Sequence, residues 1–334
     1  MKQTFLLKKE NLDSFLKAVG KEMEVFVPCL NENKESCFLP YSGQELFLSE
    51  RTLYSIKKVI SPPLEKEFVF RKKSSSFEVE HCLDKKKRMF FAVRSCDTHA
   101  IDALDRLYLE YFTEDPFYKA IRDDTLIIAL QCSKACENGF CQSMGTDSPI
   151  NHDLLIAEKE KSFFVEVVSE KGEALVKKYR KFFNQTKFAR PKPSFKCEKK
   201  LNTKNLKEIL DKNFFHEKWK QEAEKCLSCT SCTQVCPSCY CFLTFDKFLY
   251  NTENSERFRE WDSCQLQRFT QVAGNHVFRK SRESRLRQFV MHKLSYFQEN
   301  QDMMLCVGCG RCITVCPVGI DLTEIASTIR SDAK

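Results

Sequence analysis

The sequence predicts an α+β protein with an N-terminal α/β domain and a C-terminal all-helical domain. The chain has 334 residues, 42% hydrophobic and 30% charged, which is enough for two globular cores. Residues 88–131 follow the pattern strand, helix, strand, and the last third contains two cysteine runs separated by segments that favour helices. We place the α/β domain at residues 1–190, a linker and lead-in helix at 191–214, and the helical domain at 215–334.

The α/β domain begins with patterns of a helix and several short strands. Phe15, Leu16 and Val19 recur at helical spacing and predict an amphipathic helix. β-branched and aromatic residues predict short strands at 24–27, 68–70, 77–79 and 163–168. Helices are predicted at 173–183 and 205–224, on either side of a Lys- and Pro-rich linker segment at 186–203.

Residues 88–131 predict a βαβ unit. The apolar runs 89–93 and 125–130 predict two buried strands. Between them lies a predicted helix that Asp97 is placed to cap. The apolar residues at helical spacing in that helix are Ile101, Leu104, Tyr108 and Tyr111. A crossover of this kind makes the two strands parallel.

Cysteines follow both strands of this unit. Cys96 comes just after the first strand and Cys132 just after the second, so both emerge at the edge where open α/β sheets place their sites. Cys136 and Cys141 follow in the next loop. These four thiols predict a [4Fe–4S] cluster in the N-terminal domain. The alternative is that two or three of them are buried thiols in a polar loop.

Two later runs share the spacing C-x2-C-x2-C-x3-C-P. The first is Cys226, Cys229, Cys232 and Cys236, and the second is Cys306, Cys309, Cys312 and Cys316. This is the bacterial ferredoxin run, in which the fourth thiolate ligates the other of two [4Fe–4S] clusters. We therefore expect Cys316 to complete the first cluster and Cys236 the second. Zinc or disulfides are the alternatives, but zinc sites usually combine separated C-x2-C pairs.

The region between the runs predicts an all-helical dicluster ferredoxin domain. Helices are predicted at 242–250, 265–272 and 285–297. Cys239, Cys241 and Cys264 lie near the runs but are not needed as ligands. A basic stretch comprises Arg279, Lys280, Arg282, Arg285 and Arg287. It docks an acidic partner, or it raises the potential of a nearby cluster, or it is a solvated helix face paired with Glu283 and Glu299.

Composition and missing motifs restrict the function. The 19 cysteines occur without a secretory signal or an apolar run of membrane-spanning length, which predicts a cytoplasmic protein. The chain contains no G-x-G-x-x-G, no phosphate loop and no H-E-x-x-H, so no catalytic residue is predicted. The net charge is +8, but the sequence shows no aromatic platform on which nucleic-acid bases could stack. We expect an electron relay; a self-contained reductase with an N-terminal substrate site and a basic nucleic-acid binder are the alternatives.

Several motifs lie in the stretches 95–97, 104–105, 108–109 and 140–146, with Cys132, and in the stretches 261–264, 272–274, 276–279 and 305–312. Together they resemble the motifs of two related families, the beta subunit of cytoplasmic [NiFe] sulfhydrogenases and the A subunit of anaerobic sulfite reductases. The likeness covers about residues 60–325. One departure is Gly139, which stands where these families typically have the first cysteine of C-F-C. Cys136 is the thiol expected to replace it.

The resemblance implies partners. In both families this subunit sits beside an FAD-containing flavoprotein that exchanges electrons with NAD(P)H. The third component is a [NiFe] hydrogenase pair in one family and a sirohaem sulfite reductase subunit in the other. Stretches 261–264 and 272–279 favour the hydrogenase type, whereas 144–146 favours the sulfite reductase type. The resemblance therefore predicts a non-catalytic iron–sulfur subunit of a hydrogenase-type complex, with the sulfite reductase complex as the alternative.

Overall fold

The computed structural model describes residues 3–74, 76–111, 113–191, 195–250 and 254–333. Its strands are β1 Thr4–Lys8, β2 Glu24–Leu30, β3 Ser36–Pro40, β4 Leu64–Lys73, β5 Ser76–His81, β6 Arg88–Val93, β7 Thr125–Leu130, β8 Leu154–Glu158, β9 Ser162–Val167, β10 Phe183–Gln185, β11 Phe242–Phe248, β12 Ser255–Trp261, β13 Gln271–Val272 and β14 His276–Val277. Its α-helices are α1 Leu12–Val19, α2 Lys57–Ile60, α3 Ser95–Asp105, α4 Pro116–Asp123, α5 Cys141–Met144, α6 Glu170–Lys178, α7 Leu206–Lys212, α8 Lys218–Lys225, α9 Ser231–Gln234, α10 Arg282–Met291, α11 Phe297–Gln301, α12 Arg311–Thr314 and α13 Leu322–Asp332.

The N-terminal part is built on an eight-stranded mixed sheet. Its order is β10-β1-β9-β8-β7-β6-β2-β3. β6 pairs in parallel with β7, which confirms the predicted βαβ unit. Every residue of β6 and β7 is buried, as expected for parallel strands covered on both faces. Helices α1 and α6 pack on one face of the sheet, and α2, α3 and α4 pack on the other.

A second sheet corrects the prediction of an all-helical C-terminal domain. Its order is β11-β12-β4-β5, so strands from both parts of the chain share one sheet. Residues 242–250 are predicted to be helical. They form strand β11 instead, and Phe245 stacks on Phe258 of β12 with ring centroids 5.5 Å apart. Cross-strand aromatic contacts of this kind favour the sheet.

Arg259 of β12 fastens the C-terminal hairpin to the N-terminal part. Its guanidinium lies 2.6 Å from Glu65, 3.3 Å from Glu67 and 2.6 Å from Asp115. Glu65 and Glu67 lie on β4, and Asp115 caps α4 through the backbone N–H groups that follow it. Because Arg259 is 8% exposed, these ion pairs are shielded from solvent.

The remaining helix predictions had mixed outcomes. The helices predicted at Phe15–Val19 and 285–297 are confirmed, the latter as α10, a π-helical turn His292–Tyr296 and α11. The predicted helix 205–224 is two helices, α7 and α8. The helix predicted at 265–272 is wrong: a 3₁₀ turn at Gln267–Thr270 leads into β13. The predicted linker includes residues 192–194, which lie outside the described residues. No described helix is long and apolar enough to cross a membrane.

Candidate metal centres

The two ferredoxin-type runs fold alike. In the first, Ser228 and Thr230 have φ of 52° and 69°; in the second, Gly308 and Gly310 have φ of 64° and 73°. A short helix then follows in each case, α9 or α12. The matched left-handed positions turn the chain so that cysteines two residues apart line one cavity.

The first run lines a cavity together with a cysteine of the second run. Cys226, Cys229 and Cys232 line this cavity, and so does Cys316. Cys312 also borders it. Cys229 is exposed, so the cavity reaches the surface there.

The second run lines a smaller cavity. Its cysteines are joined there by Cys236, the last cysteine of the first run. The full thiol set is Cys236, Cys306, Cys309 and Cys312. Phe289, Leu322 and Cys312 line both cavities and therefore separate them. The two cavities combine the cysteines as the crossed assignment expects, and that assignment stays a prediction.

Burial disfavours the thiolate at three positions in these cavities. It raises the pKa of Cys232 and of Cys306 to about 12 and the pKa of Cys312 well above its usual value. Cys229 differs because hydrogen bonding with Ser231 lowers its pKa. Clustered, buried thiolates need a compensating positive charge, which iron supplies, so the donor set fits a cluster. Among the residues the structure describes, no three His, Cys, Asp or Glu side chains are grouped closely enough to hold a single metal ion.

Two buried lysines lie beside the second cavity. Lys293 is 2% exposed and donates a hydrogen bond to Ser238 Oγ at 3.1 Å. Lys57 donates to the backbone oxygen of Cys239 at 3.1 Å. A hydrogen bond from Cys239 and the charges of Lys293 and Lys57 hold the pKa of Cys236 well below its usual range. Burial lowers the pKa of Lys57 to about 8, whereas the nearby thiols raise that of Lys293 despite its burial.

The basic stretch is partly internal. Arg285 is 7% exposed and donates to the backbone oxygens of Gln265 and Lys280 at 2.9 and 2.7 Å. Arg282 donates to the backbone oxygen of Cys226 at 2.8 Å. These two arginines therefore support the loop of the first run. Of the two glutamates predicted to pair with this stretch, Glu283 pairs with Arg287 at 2.8 Å, whereas Glu299 pairs with Lys207.

The N-terminal thiols lie at the sheet edge where the sequence predicts them. Cys96 lies in the first turn of α3, and Cys132 follows β7, 3.9 Å from the hydroxyl of Ser95. Burial, followed by the charge of Asp97, raises the pKa of Cys96 well above its usual value. Cys141 begins α5, and its Sγ lies 3.8 Å from that of Cys197. Cys136 is half-buried and borders an open polar cavity.

Comparison with known proteins decides the family. A family model described as a 4Fe-4S dicluster domain matches residues 225–320, which contain both ferredoxin-type runs. The chain is 34% identical over 304 residues to sulfhydrogenase 2 subunit beta of Pyrococcus furiosus, covering 87% of this chain and 89% of that protein. The chain belongs to the sulfhydrogenase beta-subunit family. The resemblance predicted from the motifs is thereby confirmed.

Asp97 has a different role in this family member from the predicted helix cap. The residue preceding α3 is Arg94, and no side chain caps the helix there. Asp97 instead accepts two hydrogen bonds from Arg311, at 2.7 and 3.0 Å. Arg311 also donates to the backbone oxygen of Thr52 at 2.7 Å. The pair is buried and joins the βαβ unit to the second ferredoxin-type run.

Two glycines bring the N-terminal thiol loop against the second run. A Cβ at Gly308 would lie 2.8 Å from the Cα of Cys141, and a Cβ at Gly310 would lie 2.2 Å from the backbone oxygen of Asn138. The backbone N–H of Phe140 donates to Gly308 O at 2.8 Å. Only glycine permits this approach, so the N-terminal thiols and the second cavity are neighbours.

Sequence reasoning missed four residues near the sites: Lys57, Lys293, Cys197 and Arg311. Arg311 had a signal, because it lies between two cysteines of the second run. The lysines had none, since a lysine in an amphipathic pattern normally lies in solvent. Cys197 lies 56 residues from Cys141 in sequence, so spacing did not relate them.

Proposed function

We propose that this chain is an iron–sulfur electron-transfer subunit of a hydrogenase-type complex. Two [4Fe–4S] clusters would lie in the C-terminal cavities and a third at the N-terminal thiols. The observation that carries the proposal is the pair of adjacent cavities, each lined by three cysteines of one run and the fourth of the other. Family membership supports the same role.

The proposed ligands form two crossed sets. The first set is Cys226, Cys229, Cys232 and Cys316, and the second is Cys306, Cys309, Cys312 and Cys236. For the N-terminal cluster the sequence predicts Cys96, Cys132, Cys136 and Cys141 as ligands, and the structure raises the question of the fourth member of this set. A bound [4Fe–4S] cluster supplies reversible one-electron transfer. With four thiolates each, the clusters leave no open iron position, so we propose that bond-making takes place in other subunits.

The chain's own residues would then limit the access of water to the clusters and adjust the reduction potentials of the clusters. Phe289 and Leu322 place apolar side chains between the two C-terminal cavities. Lys293 and Lys57 place positive charge beside Cys236, which favours a reduced cluster. The exposed Cys229 and Leu227 mark where the first cavity meets the surface, which we propose as an electron exchange face.

The proposed partners follow from the family. We propose a flavoprotein with FAD that exchanges electrons with NAD(P)H, and a [NiFe] hydrogenase pair as the catalytic component. The alternative is a sirohaem subunit in a sulfite reductase complex. We propose neither a nucleic acid nor a membrane as a partner. A reducing cytoplasm is the compartment we propose, because thiolate ligands persist there.

Iron and acid-labile sulfide analysis tests the proposal. Anaerobically purified chain is expected to contain about 12 iron atoms and as many sulfides, or about 8 if only the two C-terminal clusters form. Zinc without sulfide would refute the iron–sulfur assignment. Turnover of H₂, sulfite or polysulfide by the isolated chain with a dye donor would instead favour a self-contained reductase.

Replacing Lys293 with methionine is expected to lower the reduction potential of the cluster at Cys236. The substitution removes a buried positive charge that interacts with Cys236 and keeps a side chain of similar length. The measurement is an EPR-monitored redox titration. Lys17→Met removes an exposed charge on α1 and is the matched control, expected to leave all potentials unchanged. Equal potentials in Lys293→Met and wild type would contradict the assigned role.

A further inference from the structure

We propose that Cys197 is a ligand of the N-terminal cluster, together with Cys96, Cys132 and Cys141, and that Cys136 is not. This inference rests on the proposed function, because it assumes that a cluster forms at the N-terminal thiols. It changes the ligand set expected from the sequence by one residue.

Cys197 lies inside the N-terminal thiol group. Its Sγ is 3.8 Å from Cys141 Sγ, and the residue is only 3% exposed. Cys96 packs in one buried cluster with Val307 and Cys309, and Gly308 between them lies against the backbone of Cys141. Ser95, which contacts Cys132, directly precedes Cys96. Five thiols therefore surround one region, whereas a [4Fe–4S] cluster takes four.

Hydrogen bonds fix the segment that carries Cys197 onto α5. The backbone N–H of Cys197 donates to Gln142 Oε1 at 2.9 Å, and Gln142 Nε2 donates to Phe195 O at 2.9 Å. Further along, the N–H of Leu201 donates to Ser143 Oγ at 3.0 Å. The glutamine side chain thus holds the backbone on both sides of Lys196. Such support around a donor is typical of positions that hold a ligand in a set orientation.

Burial separates Cys197 from Cys136. Cys96, Cys132 and Cys197 are each at most 8% exposed. Cys136 borders an open cavity of about 1120 Å³ whose other lining residues include the charged side chains of Glu137, Lys196, Glu198 and Lys199. Cys136 lies in the same loop as Cys141, so it is the competing fourth ligand. Cys141 is half-buried and belongs to both sets, so the sets differ only at the fourth position, where buried Cys197 excludes water from iron better than half-buried Cys136.

Single substitutions in the full chain separate the two ligand sets. Wild type, Cys197→Ala and Cys136→Ala are purified anaerobically and analysed for iron, sulfide and the EPR spectrum of the reduced protein. Cys37→Ala is the matched control, because Cys37 is a buried cysteine on β3 with Cys29 as its cross-strand partner. Circular dichroism checks that every variant keeps the fold.

Wild type, Cys136→Ala and Cys37→Ala are expected to hold about 12 irons, and Cys197→Ala about 8, with one EPR component missing. Cys197→Ser offers a hydroxyl ligand and is expected to change or abolish that same component. The proposal is overturned if Cys197→Ala keeps about 12 irons or if Cys136→Ala loses four. Wild type with only about 8 irons would instead refute the third cluster of the proposed function, and the inference with it.

Discussion

Replacing Arg311 with methionine is expected to lower the free energy of unfolding by about 3–5 kcal/mol. Arg311 is 0% exposed and forms its ion pair with Asp97, whose side chain is 1% exposed. Removing the guanidinium leaves the Asp97 carboxylate buried without a partner and frees the backbone oxygen of Thr52. Anaerobic urea denaturation followed by circular dichroism measures the loss.

A double variant separates the cost of a broken pair from the value of the pair itself. Asp97→Leu combined with Arg311→Met removes both charges and is expected to recover most of the lost stability. The exposed Lys17–Asp13 pair on α1 provides the surface control, and Lys17→Met is expected to change little. If the free energy of unfolding of Arg311→Met lies within about 1 kcal/mol of the wild-type value, the buried pair does not stabilise the fold as expected.

The same arginine shows what the sequence could and could not predict. Local patterns placed β6, β7 and the cysteines that follow them correctly, because strand burial and chain direction depend on neighbouring residues. Asp97 was predicted as a helix cap because capping is a local rule. Its actual partner, Arg311, is 214 residues away, and long-range pairing leaves no local signal.

The sequence did not predict the second sheet, for a related reason. Residues 242–250 are predicted to be helical, and β11 becomes a strand because it pairs with β12, which pairs in turn with β4. The sheet crosses the predicted boundary between the two parts of the chain, and Arg259 binds acidic residues on both β4 and the α4 cap. The ferredoxin-type runs were predictable because their spacing carries the loop geometry within a few residues. The position of Cys197 could not be predicted, because the residues around it are distant in sequence and meet only in the folded chain.

Alanine at Cys316 is expected to remove the same cluster as alanine at Cys229. Both residues line the cavity of the first run, although Cys316 belongs to the second. By the same reasoning, Cys236→Ala and Cys309→Ala are expected to remove the other cluster, since both line the smaller cavity. Each variant should lose about four irons, and the two members of a pair should leave the same EPR spectrum.

This pairing of spectra distinguishes crossed from uncrossed ligation. If each run kept its own fourth cysteine, Cys316→Ala would match Cys309→Ala, and Cys236→Ala would match Cys229→Ala. The crossed arrangement also makes each cluster a link between α9 and α12, which contact each other in the fold. Metal binding then contributes to folding, so the Cys316→Ala variant is expected to unfold at lower urea than Cys37→Ala, which removes a buried thiol outside both cavities.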